Sequence, residues 1–298
     1  MQRQQSGELM SNIALGFVGL GNIGAPMAER LTGWPGGLTV FDTRAEPMEQ
    51  LVAAGATAAD GVAGLAHADA ISIMVRDDRQ VRQVVAELAE YPKQGRVIAI
   101  HSTISPHTAT ELADRYRPEG IHIVDAPVTG GATAATHGEL AVMVGADDDT
   151  FVRFRPVLAA FGSLIVHTGG PGSGTRMKLA RNMLAYTVLA AAGEAMKLAE
   201  ASGLDLLQLG EVVRHSDAYT GGPGATMIRE STTPLPADHD LYDIFTHTCT
   251  LGEKDLAFAL ALARETGLEM PFAELARTQL ADALSVPHAR PGADPVEK

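Results

Sequence analysis

The stretch GFVGLGNIGAPMA, residues 16–28, predicts a strand, a tight turn and a helix in direct succession. Small and apolar residues run from Ile13 into this stretch and are typical of a buried strand. The glycines of the turn follow a G-x-G-x-x-G spacing, at Gly19, Gly21 and Gly24. In a dinucleotide-binding turn, the first glycine permits the bend, the second lets backbone approach a pyrophosphate, and the third lets the helix pack closely. The flanking strand and helix give the motif its weight, because the spacing alone is a weak signal.

The composition bounds the class of protein. The chain has 298 residues, enough for one large domain or two ordinary ones, and 46% of them are hydrophobic, which excludes disorder throughout. The net charge of −13 argues against binding to nucleic acid or to an anionic membrane, since phosphates would not be neutralised. Cys249 is the only cysteine, so no internal disulfide and no thiolate metal cluster can form. We predict no metal site.

The two ends of the chain and the lone cysteine bear on location. The first dozen residues are polar and lack the apolar core of a signal peptide, and no apolar run reaches about 18 residues. We therefore expect a cytoplasmic protein with no membrane partner. The last dozen residues contain three prolines and predict a frayed tail.

Short β-branched runs alternate with helical patterns between residues 13 and 168. The candidate strands are 13–18, 38–41, 70–75, 97–100, 122–124, 141–144 and 164–167. The candidate helices lie near 22–33, 45–54, 78–90, 106–116 and 148–160. This alternation predicts an α/β fold with a parallel, doubly wound sheet of the Rossmann type.

The pattern becomes helical after Gly174, and no convincing strand follows residue 168. A long helical pattern comes first, without proline before residue 223. Further candidate helices lie near 205–213, 241–265 and 272–284. We predict a dinucleotide-binding Rossmann domain over residues 12–168 and an all-helical substrate and dimerisation domain over residues 169–298.

Asp42 follows the second candidate strand, 18 residues after Gly24. A carboxylate there can accept hydrogen bonds from the adenosine ribose hydroxyls and repels a 2′-phosphate, which favours NAD over NADP. The alternative for Asp42 is an aspartate that caps a turn. Arg44 lies two residues later and can accommodate a 2′-phosphate. The prediction is therefore NAD, with NADP as the alternative cofactor.

Four motifs, in order along the chain, resemble those of the β-hydroxyacid dehydrogenase family. This family includes 3-hydroxyisobutyrate dehydrogenase, tartronate semialdehyde reductase and, more distantly, the decarboxylating 6-phosphogluconate dehydrogenases. The motifs are GFVGLGNIGAPMA at 16–28, DAPVTGGATAATHGELAVMVG at 125–145, GSGTRMKLARNM at 172–183 and KDLAFALALARETG at 254–267. The resemblance implies an NAD(P)-dependent oxidoreductase that interconverts a small 3-hydroxy acid, or related alcohol, and its semialdehyde or carbonyl by hydride transfer.

The same resemblance implies a set of cofactor contacts. They comprise the three glycines of the first motif together with Asn22, Ile23, Asp42, Val75, Thr103 and Lys254. Thr103 would contact the nicotinamide end of the cofactor. Val75 stands where the family often has leucine, followed by Arg76 in place of proline. The alternative for Lys254 is one member of a solvated run of charges.

Thr129, Gly130 and Gly131 follow a proline in the second motif. Consecutive glycines expose backbone N–H groups, which suit a substrate carboxylate, although turn glycines alone would look the same. By the resemblance these three residues bind the substrate. The family usually has serine at the first of these positions, so this chain keeps the hydroxyl and adds a methyl group.

Lys178 and Asn182 are four residues apart in the long helical pattern, so they lie on one face of a helix. By the resemblance, Lys178 is the catalytic general acid/base and Asn182 orients the substrate. Burial and the positive charge of oxidised nicotinamide would lower the pKa of the amine and suit it to both roles. The alternative is a surface lysine on an amphipathic helix. Arg181 departs from the family, where a second asparagine is common.

Two further regions contain histidines that could belong to a functional site. His101 ends a candidate strand, and we interpret it as structural rather than catalytic. Residues 214–240 are the least typical stretch and include His215, Ser216 and Tyr219. They either set substrate specificity or form a surface connector.

Other functions stay open on the sequence alone. An imine or other carbonyl reductase could use the same fold, but such relatives tend to replace the lysine that this chain keeps. A non-catalytic nucleotide-binding module is a third alternative, against which Lys178 and Asn182 both count. The Ala-, Leu- and Met-rich helix after residue 174, with the resemblance, predicts a homodimer or a higher homo-oligomer.

Overall fold

The computed structural model of the chain describes residues 13–222, 228 and 232–288. The polar N-terminal segment and most of the predicted frayed tail lie outside these residues. Contacts between Cα atoms divide the chain into two compact units, Met1–Asn182 and Met183–Lys298.

A nine-stranded sheet forms the centre of the first unit within the described residues. Its strands are β1 (Leu15–Val18), β2 (Leu38–Phe41), β3 (Thr57–Ala58), β4 (Ala70–Ile73), β5 (Arg96–Ile100), β6 (Ile121–Asp125), β7 (Val128–Thr129), β8 (Leu140–Gly145) and β9 (Gly162–Gly169). The order is β3-β2-β1-β4-β5-β6-β8-β7, and β9 pairs with β8. Along the part of this order that runs β3-β2-β1-β4-β5-β6, every adjacent pair of strands is parallel, and β9 is parallel to β8. Strand β8 is antiparallel to both β6 and β7.

Helices follow most of these strands. In the first unit they are α1 (Gly24–Glu29), α2 (Ala45–Ala53), α3 (Asp78–Ala89), α4 (Pro106–Tyr116), α5 (Gly131–His137) and α6 (Asp148–Leu158), and α7 (Ser173–Ala201) continues into the second unit. Three of them begin at a side-chain cap: Asp77, Ser105 and Asp147 each accept a hydrogen bond from a first-turn N–H. Such caps satisfy N–H groups that have no partner within the helix.

Apolar side chains cover both faces of the sheet. Phe17 and Val124 belong to one core cluster, and Ile71 and Ile100 belong to the other. Neighbouring residues of one strand alternate between the clusters, as Ala99 and Ile100 do, because successive side chains point to opposite faces. A parallel sheet buried on both faces is the expected result of near-continuous apolar strands.

The regular secondary structure in the described part of the second unit is all helical. It contains the end of α7, then α8 (Leu206–Thr220), α9 (Tyr242–Glu265) and α10 (Pro271–Leu284). Phe245 and Cys249 of α9 pack with Leu284 in a small core. Glu194 of α7 is buried and accepts hydrogen bonds from the first N–H groups of α10, at 2.9 and 3.1 Å.

The predicted fold class, a Rossmann-type α/β part followed by an all-helical part, is confirmed. Three details differ. The sheet is not wholly parallel, because β8 runs against β6 and β7. The short elements β3, β7 and α5 were not predicted, since two to seven residues are too few for a periodic pattern to emerge. The helix expected over 22–33 ends at Glu29. No helix among the described residues is long and apolar enough to cross a lipid bilayer.

Candidate active site

The glycine turn between β1 and α1 has one open position. A Cβ at Gly19 would lie 2.2 Å from the carbonyl oxygen of Met74, and Gly19 has a φ of +92°. A Cβ at Gly24 would lie 2.0 Å from the carbonyl oxygen of Gly19. A Cβ at Gly21 would meet nothing within 4 Å. Gly19 and Gly24 are therefore required by the turn itself, whereas Gly21 leaves space for a ligand to approach the backbone.

A cavity of about 750 Å³ adjoins this turn. Five of the predicted cofactor residues line it, namely Gly19, Gly21, Asn22, Asp42 and Val75. Arg44 and Arg76 also contribute to its wall. Space beside Gly21, next to an aspartate at the end of β2, fits the pyrophosphate and ribose of a dinucleotide.

Asp42 is held by three hydrogen bonds. Its carboxylate accepts from the backbone N–H of Leu20 at 2.7 Å, and from the backbone N–H and Nε of Arg44 at 2.9 and 3.2 Å. Partial burial raises the pKa of Asp42, but these hydrogen bonds outweigh it and the pKa is lowered overall. Arg44 also donates to the carbonyl oxygen of Leu20, at 3.1 Å. The arginine is thus tied to the aspartate and to the glycine turn.

Ser102, which follows β5, is bonded to Val75 of the cavity wall and was not predicted as a site residue. Ser102 Oγ donates to the carbonyl oxygen of Val75 at 2.7 Å and accepts from the N–H of Val75 at 2.9 Å. Thr103, the next residue, is exposed. His101 is buried between Ala126 and Ser72, and burial lowers its pKa to about 4. A buried neutral imidazole with both nitrogens bonded is structural.

The second cluster of predicted residues surrounds Lys178 in the first turns of α7. The side chain of Lys178 is buried, with a relative exposure of 8%. Its Nζ donates to the carbonyl oxygen of Val128 at 2.6 Å. Thr129, the neighbour of Val128, ends β7, and the two glycines follow directly. The structure therefore brings the lysine to the predicted substrate loop, and the surface-lysine alternative is wrong.

The amine of Lys178 lies in an environment that favours its neutral form. Burial, and then the positive charge of Arg181, lower the pKa of Lys178. Among the described residues, no carboxylate forms an ion pair with this amine. Arg181 is exposed, and its Nη1 donates to Oδ1 of Asn182 at 3.3 Å. A lowered pKa brings a lysine closer to the range in which its amine can both accept and return a proton.

The two glycines after β7 have different surroundings. A Cβ at Gly130 would lie 2.6 Å from Cβ of Ala134, and its φ is +132°. A Cβ at Gly131 would meet nothing within 4 Å, and its φ is +73°. The exposed Gly131 begins α5, so its backbone is open to a ligand.

Two predicted features belong to the second unit. Lys254 lies in α9, where its Nζ is 3.2 Å from Oδ1 of Asp255. Its contact with the cofactor, like that of Thr103, stays a prediction. The atypical stretch 214–240 continues α8 as far as Thr220, and part of it, residues 223–227 and 229–231, lies outside the described residues.

Family models cover nearly the whole chain. Residues 14–169 match the NAD binding domain of 6-phosphogluconate dehydrogenase, and residues 172–294 match the NAD-binding region of NADP-dependent 3-hydroxyisobutyrate dehydrogenase. An uncharacterized oxidoreductase of Mycobacterium tuberculosis is 55% identical over 287 residues, covering 95% of this chain and 97% of the relative. The NAD-dependent L-serine dehydrogenase of Pseudomonas aeruginosa is 33% identical over 276 residues, covering 88% and 89%.

Solved structures agree with these matches. An oxidoreductase from Mycobacterium avium 104 superposes with a TM-score of 0.90 at 59% identity, over 93% of this chain and all of the other. The 3-hydroxyisobutyrate dehydrogenase of Mycobacterium tuberculosis, solved with L-serine, gives 0.65 at 30% identity, over 91% and 93%. An imine reductase from Myxococcus stipitatus gives 0.74 at 20% identity, over 91% and 94%, which shows a shared fold alone. The chain belongs to the β-hydroxyacid dehydrogenase family and is an oxidoreductase that uses NAD(P).

Proposed function

We propose that this enzyme interconverts a small 3-hydroxy acid, or a related alcohol, and its semialdehyde or carbonyl, with Lys178 as the general acid/base. One observation carries the proposal. The buried amine of Lys178 has no carboxylate partner among the described residues and donates to Val128, one residue before Thr129 and the two glycines. A buried lysine beside an anion-binding loop is an arrangement suited to proton transfer on a carboxylate substrate.

The residues divide the chemistry between them. A nicotinamide dinucleotide held in the cavity beside the glycine turn would supply or accept the hydride. Lys178 Nζ takes the hydroxyl proton during oxidation and returns it to the carbonyl oxygen during reduction. Asn182, one helical turn further on, orients the same region of the substrate. Burial lowers the pKa of Lys178, and the positive charge of Arg181 lowers it further.

The substrate class follows from the loop and from the relatives. Thr129 offers a hydroxyl, and Gly130 and Gly131 offer backbone N–H groups, which together suit a carboxylate. L-serine and 3-hydroxyisobutyrate, which appear in the names of relatives, both carry a carboxylate and a hydroxyl on carbon 3. We propose the same pair of groups for the substrate of this chain.

We further propose that residues 12–168 bind the dinucleotide and residues 169–298 complete the substrate site and form the contacts between subunits. The single cysteine favours a reducing compartment, and the cytoplasm stays our prediction for the location.

A substrate panel tests the proposed reaction. Absorbance of the reduced nicotinamide would be followed with 3-hydroxy acids, other alcohols, semialdehydes and cyclic imines, each with NAD and NADP. Turnover of at least one 3-hydroxy acid, and none of the imines, is expected. Turnover of imines alone would instead support the reductase alternative.

The cofactor preference gives a first prediction. We expect NADH to bind at least about tenfold more tightly than NADPH, or about 1.4 kcal/mol. The ionised carboxylate of Asp42 repels a 2′-phosphate, and Arg44 is already engaged with Asp42 and Leu20. Binding of both reduced cofactors would be measured by isothermal titration calorimetry.

Two variants identify the cause of that preference. Asp42→Asn should reduce the difference in affinity between NADH and NADPH, because it removes the negative charge that repels a 2′-phosphate. Glu87→Gln is the matched control, because it removes the charge of another carboxylate of the same cavity without touching Asp42. Equal affinities of the wild type for NADH and NADPH would contradict the prediction.

The assembly gives a second prediction. No residue of α8 is buried, even though the helix carries large apolar side chains. Leu207 is 79% exposed and Val212 is 66% exposed. A 15-residue helix with bare apolar side chains is stabilised when another surface covers it. We expect a homodimer at micromolar concentration, measured by light scattering.

A charged substitution on α8 should disrupt this dimer. Val212→Glu would place a carboxylate in the covered surface and shift the enzyme to a monomer. Val152→Glu is the matched control, because Val152 of α6 is also exposed but lies in the first unit. A monomeric wild type, or dissociation by both variants alike, would argue against a dimer made through α8.

A further inference from the structure

Asp125 is a buried carboxylate to which the mechanism above assigns no role. It ends β6 and is only 1% exposed. One carboxylate oxygen accepts the N–H of Gly172 at 2.6 Å, and the other accepts the N–H of Thr175 at 2.7 Å. Among the ion pairs of the described residues, none includes Asp125. Backbone N–H groups at the start of α7 are its hydrogen-bond donors.

Two links join the same loop to the same helical turn. Asp125 bonds the N–H of Thr175, and Val128 accepts from Nζ of Lys178. Val128 is three residues after Asp125, and Lys178 is three residues after Thr175. The carboxylate therefore fixes the start of the turn whose next residues include the lysine.

The loop between the two links is itself held in place. The N–H of Ala126 donates to the carbonyl oxygen of Ile100 at 2.8 Å. The carbonyl oxygen of Pro127 accepts from the N–H of Met143 at 3.1 Å. Both bonds go to neighbouring strands, so the loop that presents Val128 moves with the sheet.

The sheet and the start of α7 pack closely against each other. A Cβ at Gly145 would lie 2.2 Å from a carboxylate oxygen of Asp125. A Cβ at Gly174 would lie 2.3 Å from the carbonyl oxygen of Met143 and 2.7 Å from that of Asp125. Backbone thus meets backbone at this point, and only glycine permits the approach.

We infer that Asp125 is a positioning residue for Lys178: its carboxylate anchors the first turn of α7 so that Nζ stays against the Val128 carbonyl beside the substrate loop. The inference rests on the proposed role of Lys178. Each carboxyl oxygen of Asp125 accepts one N–H at the helix start, where these groups have no partner within the helix. Misplacing a catalytic group by about 1 Å can cost on the order of 10²-fold in rate.

Asp125→Asn is the direct test. The amide keeps one acceptor oxygen but turns its NH₂ toward a backbone N–H, so one anchoring bond is lost. We expect kcat to fall at least about tenfold while the Kd for NADH changes less than about twofold, since the cofactor cavity is elsewhere in the same unit. In the enzyme without cofactor, labelling of Lys178 by an amine reagent, read by peptide mass spectrometry, should become faster because the buried amine gains access.

Asp147→Asn is the matched control. Asp147 also caps a helix of the first unit, accepting the N–H of Thr150 at 2.9 Å, but that helix is α6. It should lower the melting temperature slightly, because asparagine still caps the helix but lacks the negative charge that is favoured at a helix N-terminus, while leaving kcat and the labelling rate of Lys178 within about twofold of wild type. An equal effect of Asp125→Asn and Asp147→Asn on kcat and labelling would assign Asp125 to general stability and overturn the inference.

Asp125→Ala tests the same link by removing both acceptors of the N–H groups of Gly172 and Thr175, and the same loss of kcat is expected. Wild-type kcat in either folded variant would overturn the positioning role. So would failure of both to fold, which would assign the link to folding. Full activity of Lys178→Ala would overturn the proposed function itself. An active Asp125→Asn beside an inactive Lys178→Ala would overturn only the positioning role of Asp125.

Discussion

Lys178→Ala is expected to lower kcat by about 10²-fold or more while leaving the affinity for NADH unchanged. General acid–base groups typically contribute about 10²–10⁴-fold to a rate. Lys178 donates to Val128 and does not line the cavity beside the glycine turn, so cofactor binding should not depend on it. Turnover would be measured with the substrate identified by the panel, and NADH binding by calorimetry, after the fold is checked by circular dichroism.

Two companion variants sharpen this prediction. Lys178→Arg should not restore turnover, because a guanidinium keeps its proton and cannot act as the base at neutral pH. Asn182→Ala should cost less, because it removes orientation rather than the proton. The effects of the two residues should not add, since both act on one substrate. If Lys178→Ala keeps more than about a tenth of normal turnover, well above the remaining activity expected, the role of Lys178 as general acid/base is contradicted.

The pH dependence has a definite sign. The neutral amine of Lys178 is the base, so the rate of alcohol oxidation should rise with pH through the pKa of Lys178. The protonated amine is the acid, so carbonyl reduction should fall with pH through the same pKa. Burial and Arg181 lower this pKa, so Arg181→Gln should move both midpoints to higher pH. The profile of kcat/KM against pH reports this shift.

Local spacing explains why much of the fold and site could be predicted. The roles of Gly19 and Asp42 depend on a turn and a strand end that neighbouring residues define. Lys178 and Asn182 share a helix face through their spacing alone, and the family resemblance identified their loop partner. Regular strand–helix alternation likewise predicted the doubly wound arrangement.

Features that depend on tertiary distance could not be predicted in this way. Nothing in the run of β8 encodes its direction relative to β6, because an apolar strand reads the same in either orientation. The cap of Asp125 on Thr175 spans 50 residues of sequence, and the bonds of Ser102 to Val75 span 27. An acidic residue at the end of an apolar strand is the one sequence signal that points toward such a link. If its carboxylate is buried, it needs hydrogen-bond donors from elsewhere in the chain.

Gly21→Ala is expected to raise the Kd for NADH at least about tenfold, or about 1.4 kcal/mol, without unfolding the enzyme. A Cβ at Gly21 meets no protein atom within 4 Å, and Gly21 has no positive φ, so alanine creates neither a clash nor backbone strain. The methyl group instead occupies the space that lets the backbone approach a pyrophosphate. The melting temperature of the cofactor-free enzyme should hold or rise slightly, because alanine restricts the unfolded chain more than glycine does.

Two other glycines separate binding from folding in this test. Gly33→Ala is the matched control, because its Cβ also meets nothing within 4 Å but Gly33 does not line the cavity, and NADH should bind it as it binds wild type. Gly19→Ala should lower the melting temperature, because its Cβ would lie 2.2 Å from the carbonyl oxygen of Met74 at a φ of +92°. If Gly21→Ala binds NADH as tightly as Gly33→Ala does, the open side of the turn is not where the pyrophosphate lies. The assignment of the cofactor cavity would then fail while the fold stood unchanged.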